Sequence, residues 1–125
     1  MKVMLSIKPQ FVEKIFNGDK KFEYRKVIFK NKDIKTVVVY STMPVGKIIG
    51  EFDIDNILEG HPSTLWDKTK EFSGVNSEFY HDYFLGRKKG FAIEIKSLNK
   101  YDTPICPYDK YENFTAPQSF KYINN

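Results

Sequence analysis

Apolar and polar positions alternate, then recur at helical spacing, then alternate again along the first stretch of this chain. In residues 2–7 the pattern puts Val3, Leu5 and Ile7 on one face of a strand. Ser6 falls in the N-cap region of a helix, and Pro9 suits its first turn, where a missing N–H costs nothing. Phe11, Val12, Ile15 and Phe16 then repeat at helical spacing. Asn17-Gly18 ends the helix, with Gly18 at the position that favours a left-handed backbone. A helix this short is marginal alone and needs a sheet to pack on. Residues 21–25 return to alternation. Phe22 and Tyr24 point one way and Lys21, Glu23 and Arg25 the other, as in a strand with one buried and one charged face.

Residues 26–35 read as a polar, Lys-rich connection with an Asn-Lys-Asp turn signal. The β-branched run 36–41 predicts a strand buried on both faces, near the sheet centre. After a turn over 42–46, residues 47–54 predict a further strand, with Gly50 marking a bend or bulge. The pattern breaks at 59–63. Ser63 caps a short helix carrying Leu65, Trp66 and Thr69. Asn76 or Ser77 caps another through Phe79, Tyr80, Tyr83 and Phe84, closed by Gly86. Residues 90–96 predict a strand with Phe91, Ile93 and Ile95 inward. The tail is rich in Pro and aromatic residues, and Tyr122 and Ile123 can add an edge strand. Several strands and few helices predict a single α+β domain over residues 1–125, on a twisted mixed or antiparallel sheet or a partly closed barrel.

Composition narrows the class. A chain of 125 residues, 41% hydrophobic and 16% aromatic, is expected to fold around one core. One cysteine, Cys106, excludes an internal disulfide framework and reads as a buried thiol rather than a nucleophile. No apolar stretch approaches the roughly 20 residues of a membrane span, so a cytoplasmic protein with no membrane partner is expected. The net charge of +4 leans weakly toward polyanions. Charge is also segregated. Residues 20–35 hold seven Lys or Arg against two acids, residues 51–59 hold four acids and no base, and Arg87-Lys88-Lys89 is a second basic cluster. If the basic segments converge, they form an electrostatic groove for phosphate.

The block Leu5-Ser-Ile-Lys-Pro, then Ile15, Gly18, Lys20, Glu23, Arg25 and Lys26, resembles the opening of an ASCH-type domain of the PUA-like superfamily. Three later blocks fit the same picture. They are Tyr40-Ser-Thr-x-Pro44 followed by Lys47-x-x-Gly50-Glu-Phe52, then Gly90-Phe-Ala-Ile-Glu-Ile95, then Pro117-Gln-Ser-Phe-x-Tyr122. The resemblance covers nearly the whole chain. It implies a PUA-like mixed or antiparallel β-barrel with short flanking helices and a cleft that in relatives receives RNA, nucleotides or modified bases. One branch of the family removes the acyl group from acetylated cytidine, with a Lys after the turn Gly, a Thr three residues on and a distant Glu. Here the Lys matches Lys20, Glu23 stands where the Thr belongs, and Glu71 or Glu78 stands for the distant Glu.

Two readings therefore stand. In the first, the protein binds RNA or a modified nucleotide or nucleoside, with a regulatory role open. Lys8, Lys20, Arg25, Lys26, Ser41 and Lys47 then meet the nucleic acid, and Glu23 reads a base or holds the Arg25 guanidinium. In the second, it is a small amidohydrolase acting on acetylated cytidine nucleosides, with Lys20 and Glu23 catalytic. Each residue also has a plain alternative: Lys20 as a solvated turn lysine, Glu23 and Arg25 as a surface ion pair, Lys8 and Ser6 as a helix start, Ser41 as a turn residue. Trp66, Tyr80 and Tyr83 either stack on a base or fill the core. Gln118-Ser119 either reaches a base edge or ties down the tail. His61 and His81, with no ligand partners at suitable spacing, point to neither a metal nor another cofactor. Oligomeric state is not legible.

Overall fold

Five of the six residues in Thr36–Ser41 are buried, as a β-branched run with no polar face requires. In the computed structural model, which describes residues 1–124, this segment is strand β3 of a six-stranded mixed sheet. The other strands are β1 (Lys2–Ile7), β2 (Phe22–Arg25), β4 (Lys47–Gly60), β5 (Gly90–Ile105) and β6 (Lys121–Ile123), in the spatial order β2-β5-β4-β3-β1-β6. β1 and β3 run parallel, with Leu5 beside Val39, and the remaining ladders are antiparallel. Helices α1 (Pro9–Phe16), α2 (Pro62–Thr69), α3 (Ser77–Tyr83) and α4 (Pro107–Lys110) flank the sheet. This is the expected α+β, PUA-like architecture, but the barrel is not closed. β2 and β6 are its two edges, and among the described residues no ladder joins them.

The inward side chains of β1 and β3, Val3, Leu5, Ile7, Val37 and Val39, pack with Val12 and Ile15 of α1. Val12 and Ile15 are fully or nearly fully buried, each worth about 2 kcal/mol, and this fixes α1 on the sheet. A second cluster joins Phe22, Tyr24 and Ala92 to Leu65 of α2, Tyr80 of α3 and Phe84. That cluster anchors α2 and α3 over β2 and sets the position of the site described below.

Several expectations need correction. β4 continues to Gly60 and β5 to Ile105, well past the alternating stretches. The two form a long hairpin whose register shifts between Ile48 and Gly50, Glu51 and Asp53, and Ile54 and Asn56. Each shift resets the alternation that pattern reading relies on. The Lys-rich connection is not wholly polar, because Phe29 and Ile34 insert into the core. α1 is capped at Lys8 and α2 at His61, whose ring accepts the Ser63 N–H, so neither Ser6 nor Ser63 caps. α3 is capped by Asn76 but ends at Tyr83, before Gly86. Cys106 is half-buried, at the N-cap of α4.

Candidate functional site

Gly18, in the left-handed conformation at φ +90°, turns the chain out of α1 and leaves Lys20 just before β2. The chain is still turning there, so Lys20 is not held opposite Glu23 as strict alternation would require. Lys20 is only 2% exposed, and its ammonium lies 4.0 Å from the Glu23 carboxylate. It donates to the Ser73 carbonyl at 2.7 Å and sits over the rings of Tyr24 and Phe11, at 4.9 and 5.4 Å from their centroids. Burial pulls its pKa down to about 8, against the opposing pull of Glu23, and neighbouring Lys14 adds to the lowering. Glu23 is buried as well, with Arg25 at 3.3 Å on its other oxygen. The charged face of β2 is therefore covered rather than solvated.

It faces a cavity of about 300 Å³. Lys20, Glu23 and Arg25 form its polar end. Phe11 of α1, Tyr24 of β2 and Phe79, Tyr80 and Tyr83 of α3 wall it, and Ser6, Ile7 and Lys8 form the β1–α1 rim. The three tyrosines are tethered by their hydroxyls. Tyr24 bonds Thr69 Oγ1 at 2.6 Å, Tyr80 donates to the Pro62 carbonyl at 2.6 Å, and Tyr83 donates to the Tyr24 carbonyl at 3.3 Å. Thr69 itself donates to the Leu65 carbonyl, so the Tyr24 hydroxyl is the donor between the two. Burial, the largest influence on each, raises the pKa of Tyr24 to about 12 and those of Tyr80 and Tyr83 above the ordinary phenol value. The protein's own hydrogen bonds thus fix the rings in place.

Arg25 links the two edges of the open sheet. Its guanidinium donates to the Ser6 carbonyl of β1 at 3.3 Å and to the Ser119 carbonyl, just ahead of β6, at 2.6 Å. Arg25→Ala is expected to lower unfolding free energy by about 2–3 kcal/mol, because charge-assisted hydrogen bonds are lost across the seam. Arg25→Lys should recover little, since one ammonium cannot reproduce the guanidinium fork. Urea denaturation measures both, and an Arg25→Ala change under 0.5 kcal/mol would show the seam to be unimportant.

The structure brings Lys8, Lys20, Glu23 and Arg25 to one cavity, and Lys26 to its edge, with its ammonium 4.7 Å from the centroid of the Tyr83 ring. Ser41 and Lys47 are elsewhere. Ser41 is buried beside a separate groove with Pro9, Val12 and Val45, and Lys47 is exposed at the start of β4. Glu71 and Glu78 are exposed and do not line the cavity. Trp66 packs behind Tyr80, at 4.6 Å between centroids, whereas Tyr80 and Tyr83 serve both core and cavity wall. Ser119 ties the tail to Arg25 through its carbonyl. His61 caps α2 and His81 is exposed. Phe79 and the Ser73–Val75 loop complete the surroundings of Lys20, and helical spacing marks Phe79 only as an apolar position of α3. The loop is marked in the sequence by Gly74 alone, which takes a left-handed conformation at φ +69°.

The fold matches known proteins. The crystal structure of the ASCH protein of Zymomonas mobilis superposes with a TM-score of 0.89 at 26% identity, covering 98% of this chain and 87% of that one. A curated relative from the same organism, an ASCH domain-containing ribonuclease, is 28% identical over 96% of this chain and 82% of its own length. The large ribosomal subunit protein uL22 of Ureaplasma parvum is 30% identical over 97% of this chain, and the chain spans 39% of that relative's length. A hypothetical protein, PH0355, shares the fold alone, with a TM-score of 0.56 at 21% identity. The family model described as "Domain of unknown function (DUF365)" matches residues 1–123, and the chain belongs to that family, with the ASCH fold.

Proposed function

We propose that this protein binds single-stranded RNA and takes one unstacked nucleotide into the cavity walled by α3. The observation that carries the reading is the buried Lys20–Glu23 pair at the end of a pocket lined by tethered aromatic rings. Burying an ammonium and a carboxylate is costly, and such pairs concentrate where a ligand is read. At about 300 Å³ the cavity is at the small end of ligand sites, suited to a base with part of its sugar. Single-stranded RNA is recognised in this way, by splayed bases stacked on aromatic rings and bonded along their edges. Glu23 accepts from a base amino or imino group, and Lys20 donates to the neighbouring carbonyl or ring nitrogen. Arg25 is committed to protein acceptors, so phosphate falls to Lys8 and Lys26 at the rim. The ribonuclease name of the Zymomonas relative supports RNA as the partner class.

A second reading, hydrolysis at the same lysine, is favoured by one observation. With its pKa near 8, Lys20 exchanges a proton close to neutral pH, as general acid–base catalysis needs. Against deacylation, the nearby hydroxyls are engaged: Thr69 donates to the Leu65 carbonyl and Ser73 to the Val75 carbonyl. One experiment separates the readings. RNA and acetylcytidine are each incubated with the wild type and with Lys20→Met and Tyr83→Ala, with binding followed by filter titration and products by mass. Tyr83→Ala is expected to weaken RNA binding by about tenfold, from the ~1–3 kcal/mol of one base–aromatic contact. Unchanged affinity in both variants overturns the binding reading. Turnover that disappears with Lys20→Met establishes the second.

A further inference from the structure

Two basic segments, far apart in sequence, meet beside the cavity. Lys26 follows β2, and Arg87-Lys88-Lys89 follow the turn after α3. The Arg87 guanidinium donates to the Lys26 carbonyl at 3.2 Å, which ties the two segments together. Gly86, at φ +78°, makes the turn that presents the three cationic residues. Together Lys26, Gly86, Arg87, Lys88, Lys89 and Phe91 line a shallow depression of about 370 Å³ on the surface. Lys26 and the three later cations are all exposed. Lys89 pairs with Glu59 at 3.2 Å, and both of those side chains are more than half exposed. Such a pair is weak and gives way readily to a phosphate.

The ledge is continuous with the cavity through one residue. Tyr83 lines the cavity on one side and carries the Lys26 ammonium 4.7 Å from its ring centroid on the other. A strand whose base enters the pocket must pass its flanking backbone over the rim. On this side of the rim the surface is cationic.

We propose that the RNA strand leaves the pocket across this ledge, with the phosphates of the adjoining nucleotides on Lys26, Arg87, Lys88 and Lys89. The proposal rests on the reading of the cavity as a nucleotide pocket and adds the path of the strand. It makes the preferred ligand an oligonucleotide rather than a free nucleotide. Each phosphate contact on a single strand contributes about 0.7 to the slope of log affinity against log salt.

The test uses a mixed-sequence single-stranded RNA decamer and the nucleoside 5′-monophosphates, titrated at several salt concentrations. The triple variant Arg87→Gln/Lys88→Gln/Lys89→Gln removes the ledge charges, and thermal melting checks its fold. Its salt slope for the decamer is expected to fall by about 2, with monophosphate affinity unchanged. A second triple variant, Lys47→Gln/Lys100→Gln/Lys110→Gln, makes the same change in net charge far from the ledge. Lys47 and Lys100 lie near the Gly50 end of the β4–β5 hairpin, Lys110 lines a groove with Ile48 and Ile105 at that end, and the ledge lies at the Gly60–Gly90 end. An unchanged slope in the first variant, or an equal fall in both, overturns the proposal. Wild-type binding of the decamer without any of the monophosphates overturns the pocket reading, and the strand path with it. A ledge that fails alone instead leaves monophosphate binding intact.

Discussion

Gly74→Ala is expected to unseat Lys20 and abolish nucleotide binding, at a cost of about 3 kcal/mol in stability. Gly74 lies at φ +69°, where a side chain is strained, and that alone costs about 1–2 kcal/mol. The larger effect is steric. A methyl group at Gly74 would sit 2.5 Å from Lys20 Cγ and 2.8 Å from Cδ, as well as against Cβ. These are the root of the side chain, not its movable tip, so the buried Lys20 side chain can relieve the clash only by shifting as a whole. The same loop supplies the Ser73 carbonyl that receives the ammonium, so displacing either partner breaks that bond. Gly86→Ala is the control. Gly86 has a similar φ of +78°, but among the described residues no atom lies within 4 Å of the added carbon. It is expected to cost only the backbone strain. Urea denaturation of the two variants isolates the steric part, and equal losses would show that Lys20 does not need the space at Gly74.

The local elements near the site were legible because they obey short-range rules. Val12 and Ile15 at helical spacing, Gly18 after them, and alternation from Phe22 to Arg25 gave α1, its end and β2. What alternation could not give is the fate of the charged face. Glu23 and Lys20 look solvated until α3 and the Ser73–Val75 loop, some fifty residues later, are laid over them. The role of Arg25 was hidden for a related reason. Its partners are the main-chain carbonyls of Ser6 and Ser119, and a carbonyl leaves no mark in a sequence. Tyr80 shows a third limit. Helical spacing assigned it to core or to stacking, and its ring serves both because the cavity is cut into the core cluster. The convergence of Lys26 with Arg87 depends on tertiary structure in the same way.

Lys20→Met should remove nucleotide binding and also erase a pH dependence of stability that the wild type carries. Burial lowers the Lys20 pKa from 10.5 to about 8 in the folded protein, and the unfolded chain keeps the ordinary value. Between about pH 8 and pH 10.5 the unfolded chain therefore holds a proton that the folded protein has released, and stability rises with pH. Below pH 8 both states hold it, and the folded protein bears the full penalty, on the order of 3 kcal/mol. Methionine has a similar reach and no charge, so the penalty disappears. The Ser73 carbonyl then lacks its donor, which takes back about 1–3 kcal/mol. The difference at pH 7 is consequently small, and its change with pH is the informative quantity. The stability of the variant relative to the wild type should fall by about 3 kcal/mol from pH 7 to pH 10.5. Tyr24 and Tyr83, whose pKa values are also shifted, titrate in both proteins and largely cancel in that difference. A difference that stays flat with pH would make Lys20 an ordinary packing residue. A difference that falls as described, with binding lost, would mean that the protein keeps a charged lysine buried at neutral pH against its own stability. A ligand that needs that charge is the physical reason to retain it.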